Sequence, residues 1–169
     1  MSQRARLSSL WCLKRFAWLS LVVLVLTVRT GLAQRSLAYG FVAANSSPRQ
    51  LEAAVLHYGI GGAAGVSRRV ALGAEVGGLH MDPKGVLGSV NVTVHLGSAS
   101  RSEHLDPFVT GGLSAVYWRR SGGLYANVGT GVHYWFRPRI GARAEVRAYL
   151  PAIHDLSSFA EFRLGIAFR

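Results

Sequence analysis

The sequence predicts an all-β protein, an eight-stranded antiparallel up-and-down transmembrane β-barrel with an N-terminal signal peptide, and three observations predict it. Eight segments beyond residue 35 alternate polar with apolar residues or run small and apolar, at the length and period of β-strands. Their polar faces carry Gly, Asn, Ser, Thr and His with nearly balanced Arg and Glu, instead of the Lys, Glu and Asp that cover a wet surface. The first 33 residues read basic, then apolar, then small, which is an export pattern.

In chain order, the export pattern comes first. Arg4, Arg6, Lys14 and Arg15 precede "FAWLSLVVLVLTV" (16–28), and Gly31-Leu32-Ala33 before Gln34 supplies the small-x-small cleavage site. The apolar run is short of the roughly 18 residues that a spanning helix needs, so a cleaved signal peptide (1–33) is the better reading than a retained anchor. The mature barrel then occupies 34–169. The single cysteine, Cys12, lies ahead of the apolar run and is lost with it, so the mature chain has no disulfide. Of the 19 basic residues, Arg4, Arg6, Lys14, Arg15 and Arg29 are lost, leaving 14 against 8 acidic ones and a net charge of +6. That excess is scattered and lacks a stacked aromatic–basic motif, so no nucleic-acid partner is expected.

The strand segments are "SLAYGFVAA" (36–44), "AAVLHYGIGGAA" (53–64), "RRVALGAEVGGLH" (68–80), "GVLGSVNVTVHLG" (85–97), "DPFVTGGLSAVYW" (106–118), "GLYANVGTGVHYWF" (123–136), "RIGARAEVRAYL" (139–150) and "SFAEFRLGIAFR" (158–169). Val, Tyr, Phe and Thr dominate them, and no helical stripe of apolar residues competes. The turn "GVS" and the "RP" turn are short, whereas "NSSPRQLE", "MDPK", "RRSGG" and "PAIHDLS" are read as the loops of the opposite end. "SASRSEHL" falls on the short-turn side.

Parity decides which solvent each face meets. Glu75 stands opposite Leu72, Ala74 and Val76; Ser89, Asn91, Thr93 and His95 stand opposite Val90, Val92, Val94 and Leu96. Thr110 and Ser114 oppose Val109, Leu113 and Ala115, and Asn127 and His133 oppose Ala126, Val128 and Val132. Arg143, Glu145 and Arg147 oppose Ala142, Ala144, Val146 and Ala148, and Glu161 and Arg163 oppose Phe162, Leu164, Ile166 and Phe168. Buried ions must be paired, so the set Glu75, Arg143, Glu145, Arg147, Glu161 and Arg163 is the candidate lumen network of a narrow polar interior. Apolar outside and polar inside is stable only where the outer solvent is lipid. Tyr134, Trp135, Phe136 and Phe168 at one end, with Tyr58, Tyr117, Trp118 and Tyr149 at the other, are expected to form two aromatic belts.

The stretches "DPFVTGGLSAVY", "ANVGTGVHYWFRPRIGARAEVRAYL" and "FAEFRLGIAFR" resemble the last four strands of the outer-membrane protein A-like group of small eight-stranded outer-membrane barrels, a likeness that covers 36–169. The resemblance implies a bacterial outer-membrane location reached through the periplasm, and a role in envelope integrity, adhesion or surface interaction. It also implies docking of the C-terminal strand on the barrel-assembly machinery. In this chain that strand's terminal aromatic, Phe168, is followed by Arg169. The lipid bilayer is the expected partner of the wall, and the barrel is expected to be a monomer.

Chemistry is weakly supported. "GIGGAAG" (59–65) has dinucleotide-loop spacing but is followed by a strand pattern where that loop requires a helix, so no cofactor is expected. His57, His80, His95, His104, His133 and His154 show no local metal-ligand spacing, and no metal is expected. His57, His95 and His133 fall on inward positions, as plain lumen side chains. A lipid-modifying barrel enzyme is the first alternative, but "HDLSS" (154–158) has the wrong His-to-Ser spacing and no other nucleophile–base pair stands out, so no catalytic residue is assigned. The second alternative is a secreted soluble β-barrel that carries a ligand; it requires an apolar lumen. Eight strands enclose an interior that side chains just fill, which disfavours an open pore.

Overall fold

The computed structural model describes residues 36–46, 55–80, 84–97, 104–118, 121–152 and 157–169. The expected signal peptide, most of the long loops and His154 lie outside the described residues. Eight strands follow one another: β1 (Ser36–Ser46), β2 (Leu56–Gly65), β3 (Val70–His80), β4 (Gly85–His95), β5 (Leu105–Trp118), β6 (Ser121–Arg137), β7 (Ile140–Pro151) and β8 (Phe159–Phe168). Each pairs antiparallel with its neighbours in sequence, and β1 also pairs with β8, so the sheet closes into a barrel with no free edge. Closure satisfies the strands' backbone polar groups within the wall, the condition for crossing a bilayer with strands.

The alternation read from the sequence sets the two faces. Val42, Ile60, Leu72, Val76, Val90, Leu113, Val128, Val146, Phe162 and Ile166 are exposed on the outside. Glu75, Ser89, Asn91, Thr93, Thr110, Ser114, Asn127, Arg143, Glu145, Arg147, Glu161 and Arg163 are buried inside. A continuous apolar girdle of this extent has no stable counterpart on a protein surrounded by water.

The tightest hairpins follow from local chemistry. Pro138 sits at the second position of the Arg137–Ile140 turn, where its fixed φ is pre-set, and a register shift between Trp135 and Arg137 accommodates the bend. Between β2 and β3, Ser67 Oγ accepts from the backbone N–H groups of Arg69 and Val70 at 3.3 and 3.1 Å, while Val66 N–H donates to Val70 O at 2.8 Å.

Three expectations are corrected. "RRSGG" is not a loop: β5 runs to Trp118, β6 starts at Ser121, and those two residues are paired, so only positions 119 and 120 lie between the strands. Connections at the two ends are therefore not sorted cleanly into short and long, because the β4–β5 link on the short-turn side spans 96–104. The belts are also thinner than expected. Trp135 and Tyr149 point inward and are buried, while Tyr134, Phe136, Phe168, Tyr58 and Tyr117 face outward.

The lumen is consequently not polar throughout. Near the β3–β4 and β5–β6 connections it is plugged by Leu79, Leu87, Val116, Tyr125 and Tyr149, with Phe159 stacked on Tyr149 at a ring separation of 4.4 Å. Nearer the β6–β7 turn, Tyr39, Phe41, Ala43, Trp135 and Ala167 form a second apolar cluster. Inward glycines make room for these rings. A Cβ on Gly131 would lie 2.6 Å from Phe108 Cζ, and one on Gly59 would lie 2.7 Å from Phe41 Cζ. This crowding explains "GIGGAAG", which forms the end of β2 and leads through a turn into β3. Gly131→Ala is expected to destabilise the barrel by about 1–3 kcal/mol through overpacking. Urea unfolding in lipid vesicles measures it, and an unchanged midpoint would contradict the packing.

Candidate functional site

The six charged residues expected in the lumen lie on three strands, and the structure brings all of them together between the two aromatic clusters. Glu75 stands on β3, Arg143, Glu145 and Arg147 on β7, and Glu161 and Arg163 on β8. The β7–β8 register sets Glu145 opposite Arg163 and Arg147 opposite Glu161. Glu75 reaches the group across the lumen.

Glu145 is the hub on the wall. Arg143 Nη2 donates to its Oε2 at 2.9 Å, Arg147 Nε donates to its Oε1 at 2.7 Å, and Arg163 Nη1 lies 3.5 Å from Oε2. Glu75 accepts from Arg147 Nη1, from Arg163 Nη2 at 3.1 Å and from the Tyr39 hydroxyl at 2.9 Å. Glu161 accepts from His57 Nδ1 at 3.0 Å and from the Tyr149 hydroxyl at 3.2 Å, and its Oε2 lies 3.4 Å from Arg163 Nε. Three guanidinium groups thus meet three carboxylates with the residual lone pairs taken by hydroxyl and imidazole donors. Such compensation is what makes burial of ions tolerable.

The flat faces of the guanidinium groups are covered as well. Arg143 stacks over Tyr39 and Phe108, each at 4.3 Å from the ring centre, and Arg163 over Phe41 at 3.8 Å. The aromatic and ionic layers are therefore one packed unit. A lumen cavity of about 10 Å³, lined by Tyr39, Asn91, Thr93, Thr110, Arg143 and Arg147 among others, is at most the size of a single water.

The sequence did not reveal the partners that complete the network: Tyr39, Tyr149, Phe41 and Phe108, together with the bonding roles of the inward His57 and His133. Their signal was parity alone, because each lies on the inward register of its strand. Tyr39 and Phe41 belong to a segment too rich in small apolar residues to show which face was which.

No family model and no curated protein sequence matches this chain significantly. Solved structures do match in fold. The N-terminal β-barrel domain of Pseudomonas aeruginosa OprF superposes with a TM-score of 0.58 at 22% identity, over 80% of this chain and 98% of that one. Neisserial surface protein A gives a TM-score of 0.58 at 16% identity, over 79% of this chain and 94% of that one. This is the fold of the small eight-stranded outer-membrane barrels. A de novo designed transmembrane β-barrel shares it too, with a TM-score of 0.54 at 16% identity over 78% of this chain and 93% of that one. A shared fold does not carry a function, so function must be argued from the site.

Two further groups in the lumen invite chemistry. His95, Asp106 and His133 gather although they are distant in sequence, because Asp106 pairs with His133 across β5 and β6 and His95 Nδ1 lies 2.9 Å from Asp106 Oδ2. Their donor atoms all lie within 4.8 Å of one another, close enough to suggest a metal. Arg143 Nη1, however, donates to His133 Nε2 at 2.9 Å. The other ring nitrogen, Nδ1, therefore carries the proton and has no lone pair for an ion. As the rings stand, His95 bonds Asp106 while His133 Nδ1 lies 3.9 Å from the same carboxylate oxygen, so the three side chains offer no ready set of lone pairs to an ion. The buried serines are similarly committed: Ser89 and Ser114 Oγ are 2.7 Å apart and Asn127 Nδ2 donates to Ser114 Oγ at 2.8 Å.

Proposed function

We propose that this chain is a bacterial outer-membrane barrel, exported through the periplasm, that acts without catalysis through its lipid-facing wall and its two rims, in envelope integrity or surface interaction. The observation that carries this reading is the packing of the lumen, in which an ionic layer lies between two apolar clusters and the cavity beside Arg143 and Arg147 holds at most one water. A pore needs a continuous aqueous path and a ligand carrier needs a hollow apolar one. A lipid-modifying enzyme needs a nucleophile within reach of a base, and the inward serines Ser89 and Ser114 bond to each other and to Asn127. The wall meets lipid as a monomer, and β8, ending on outward-facing Phe168, is the strand that the assembly machinery would read.

Reconstitution into liposomes tests the reading. Vesicles bearing the barrel are expected to swell no faster in isotonic small sugars than empty ones, and the protein is expected to require detergent for extraction and to shift in mobility when heated. Sugar-dependent swelling would establish a pore, and release into aqueous extract would establish a soluble carrier. Phe168→Ala is expected to slow folding into vesicles in the presence of purified assembly machinery while leaving spontaneous folding into short-chain lipid nearly unchanged. Equal rates for the variant and the unchanged chain with the machinery present would remove Phe168 as the cue.

A further inference from the structure

Every carboxylate among the described residues is turned into the lumen. Glu75, Glu145 and Glu161 are held in the ionic layer, and Asp106 lies against His95. The arginines divide differently. Arg143, Arg147 and Arg163 answer the carboxylates inside, and Arg169 lies 4.2 Å over the inward ring of Trp135 at the lumen mouth. Arg68 and Arg69, on the β2–β3 turn, and Arg137 and Arg139, on the β6–β7 turn, are exposed, and no described carboxylate pairs with them.

The strands alternate up and down, so both turns lie at the same end of the barrel. In the closed strand order the two hairpins stand four strands apart in either direction, on opposite sides of the rim. Eight tilted strands about 4.8 Å apart close into a cylinder roughly 16 Å across, so no compact anion reaches both arginine pairs. Lipid headgroups do, because they surround the wall. Outward-facing Val66 adjoins the first pair, and Tyr134 and Phe136 adjoin the second, which marks the edge of the apolar girdle at both turns. Arginines just beyond that edge can lay their stems along apolar surface and reach phosphate oxygens with their guanidinium groups.

We infer that the turn-side rim is a docking surface for anionic phospholipid headgroups, engaged at two independent points, Arg68–Arg69 and Arg137–Arg139. The inference rests on the outer-membrane reading and adds the lipid class that this rim selects. Zwitterionic headgroups fit the same space with a weaker net attraction, at about fivefold per charge for a lipid in contact with an arginine. The preference is electrostatic and exposed, so salt weakens it.

Electron spin resonance of the full barrel in phosphatidylcholine vesicles, doped with spin-labelled phosphatidylglycerol or spin-labelled phosphatidylcholine, reads the lipid held at the protein surface. The phosphatidylglycerol probe is expected to be enriched in the immobilised fraction, and the enrichment to fall between 20 mM and 0.5 M salt. Changing all four arginines to Gln should lower the enrichment, and changing them to Lys should preserve most of it. Arg68→Gln with Arg69→Gln, and Arg137→Gln with Arg139→Gln, should each remove about half of what the fourfold change removes, because the two points act separately. Heat-shifted gel mobility checks that each variant is folded, and the salt series on the unaltered barrel serves where a variant is not. Equal immobilisation of the two probes, an enrichment indifferent to salt, an unchanged enrichment in the fourfold Gln variant, or complete loss in either pair alone would overturn the inference. Immobilisation of neither probe, with the protein in the aqueous fraction, would overturn the outer-membrane reading and this inference with it.

Discussion

Glu145→Ala is expected to lower the unfolding free energy of the barrel in lipid by about 3–5 kcal/mol, the cost of stranding a buried charge. The size follows from what remains after the carboxylate is gone. Arg147 keeps its contact with Glu75, and Arg163 keeps Glu75 and lies near Glu161. Arg143 does not fare as well: among the described residues its ion pair is with Glu145, and its other polar contact is the ring nitrogen of His133. A guanidinium that is 5% exposed and lies between Tyr39 and Phe108 has no route to water that preserves the packing. Combining Glu145→Ala with Arg143→Met should therefore recover a substantial part of the loss, because the stranded charge is removed and the aliphatic replacement still fills the space between the rings. Equilibrium urea unfolding in phosphatidylcholine vesicles, followed by tryptophan fluorescence and gel mobility, measures both variants. A loss under about 1 kcal/mol for the single variant would place the network in a hydrated, high-dielectric lumen, where ion pairs of this kind are worth little.

Most of the wall was legible in the sequence because a β-barrel has one dominant rule. Side chains alternate with period two, and a shift by one residue would turn Arg143, Glu145 and Arg147 into lipid. That rule placed every member of the ionic layer inside before any contact was known. It says nothing about height along the lumen. Nothing local distinguishes Tyr149, two residues beyond Arg147 on the same face, as part of an apolar cluster instead of a belt. Nothing in β6 alone shows that Trp135 turns inward with His133 while Tyr134 and Phe136 turn outward, except the parity of His133 itself. Cross-lumen partners were equally hidden, because Glu75 meets Arg147 and Arg163 only after closure has curved β3 around to face β7 and β8. The link from β5 to β6 was misread for a different reason: Gly122 and Gly123 look like loop residues, yet they pair with Tyr117 and Val116 in the extended hairpin.

Val146→Arg should impair insertion and cost about 2–4 kcal/mol, the penalty for a guanidinium on the lipid face near the middle of the bilayer. Val146 lies two residues from Ala144 and Ala148 on the outward register of β7, is 51% exposed, and is flanked by Thr130 and Phe162 on the paired strands. Its immediate chain neighbours, Glu145 and Arg147, are among the most deeply buried side chains of the molecule. One residue therefore separates the position where an ion holds the barrel together from the position where it is intolerable, and only the solvent beyond the wall distinguishes them. Val146→Leu, which adds apolar surface to the same site, should be nearly neutral. The contrast is measured by the folded fraction after dilution from urea into vesicles and by the unfolding midpoint thereafter. If Val146→Arg folded as well as the unaltered chain and Val146→Leu did not, the outer face would have to be in contact with water, and the alternation along β7 would stand with its two solvents exchanged.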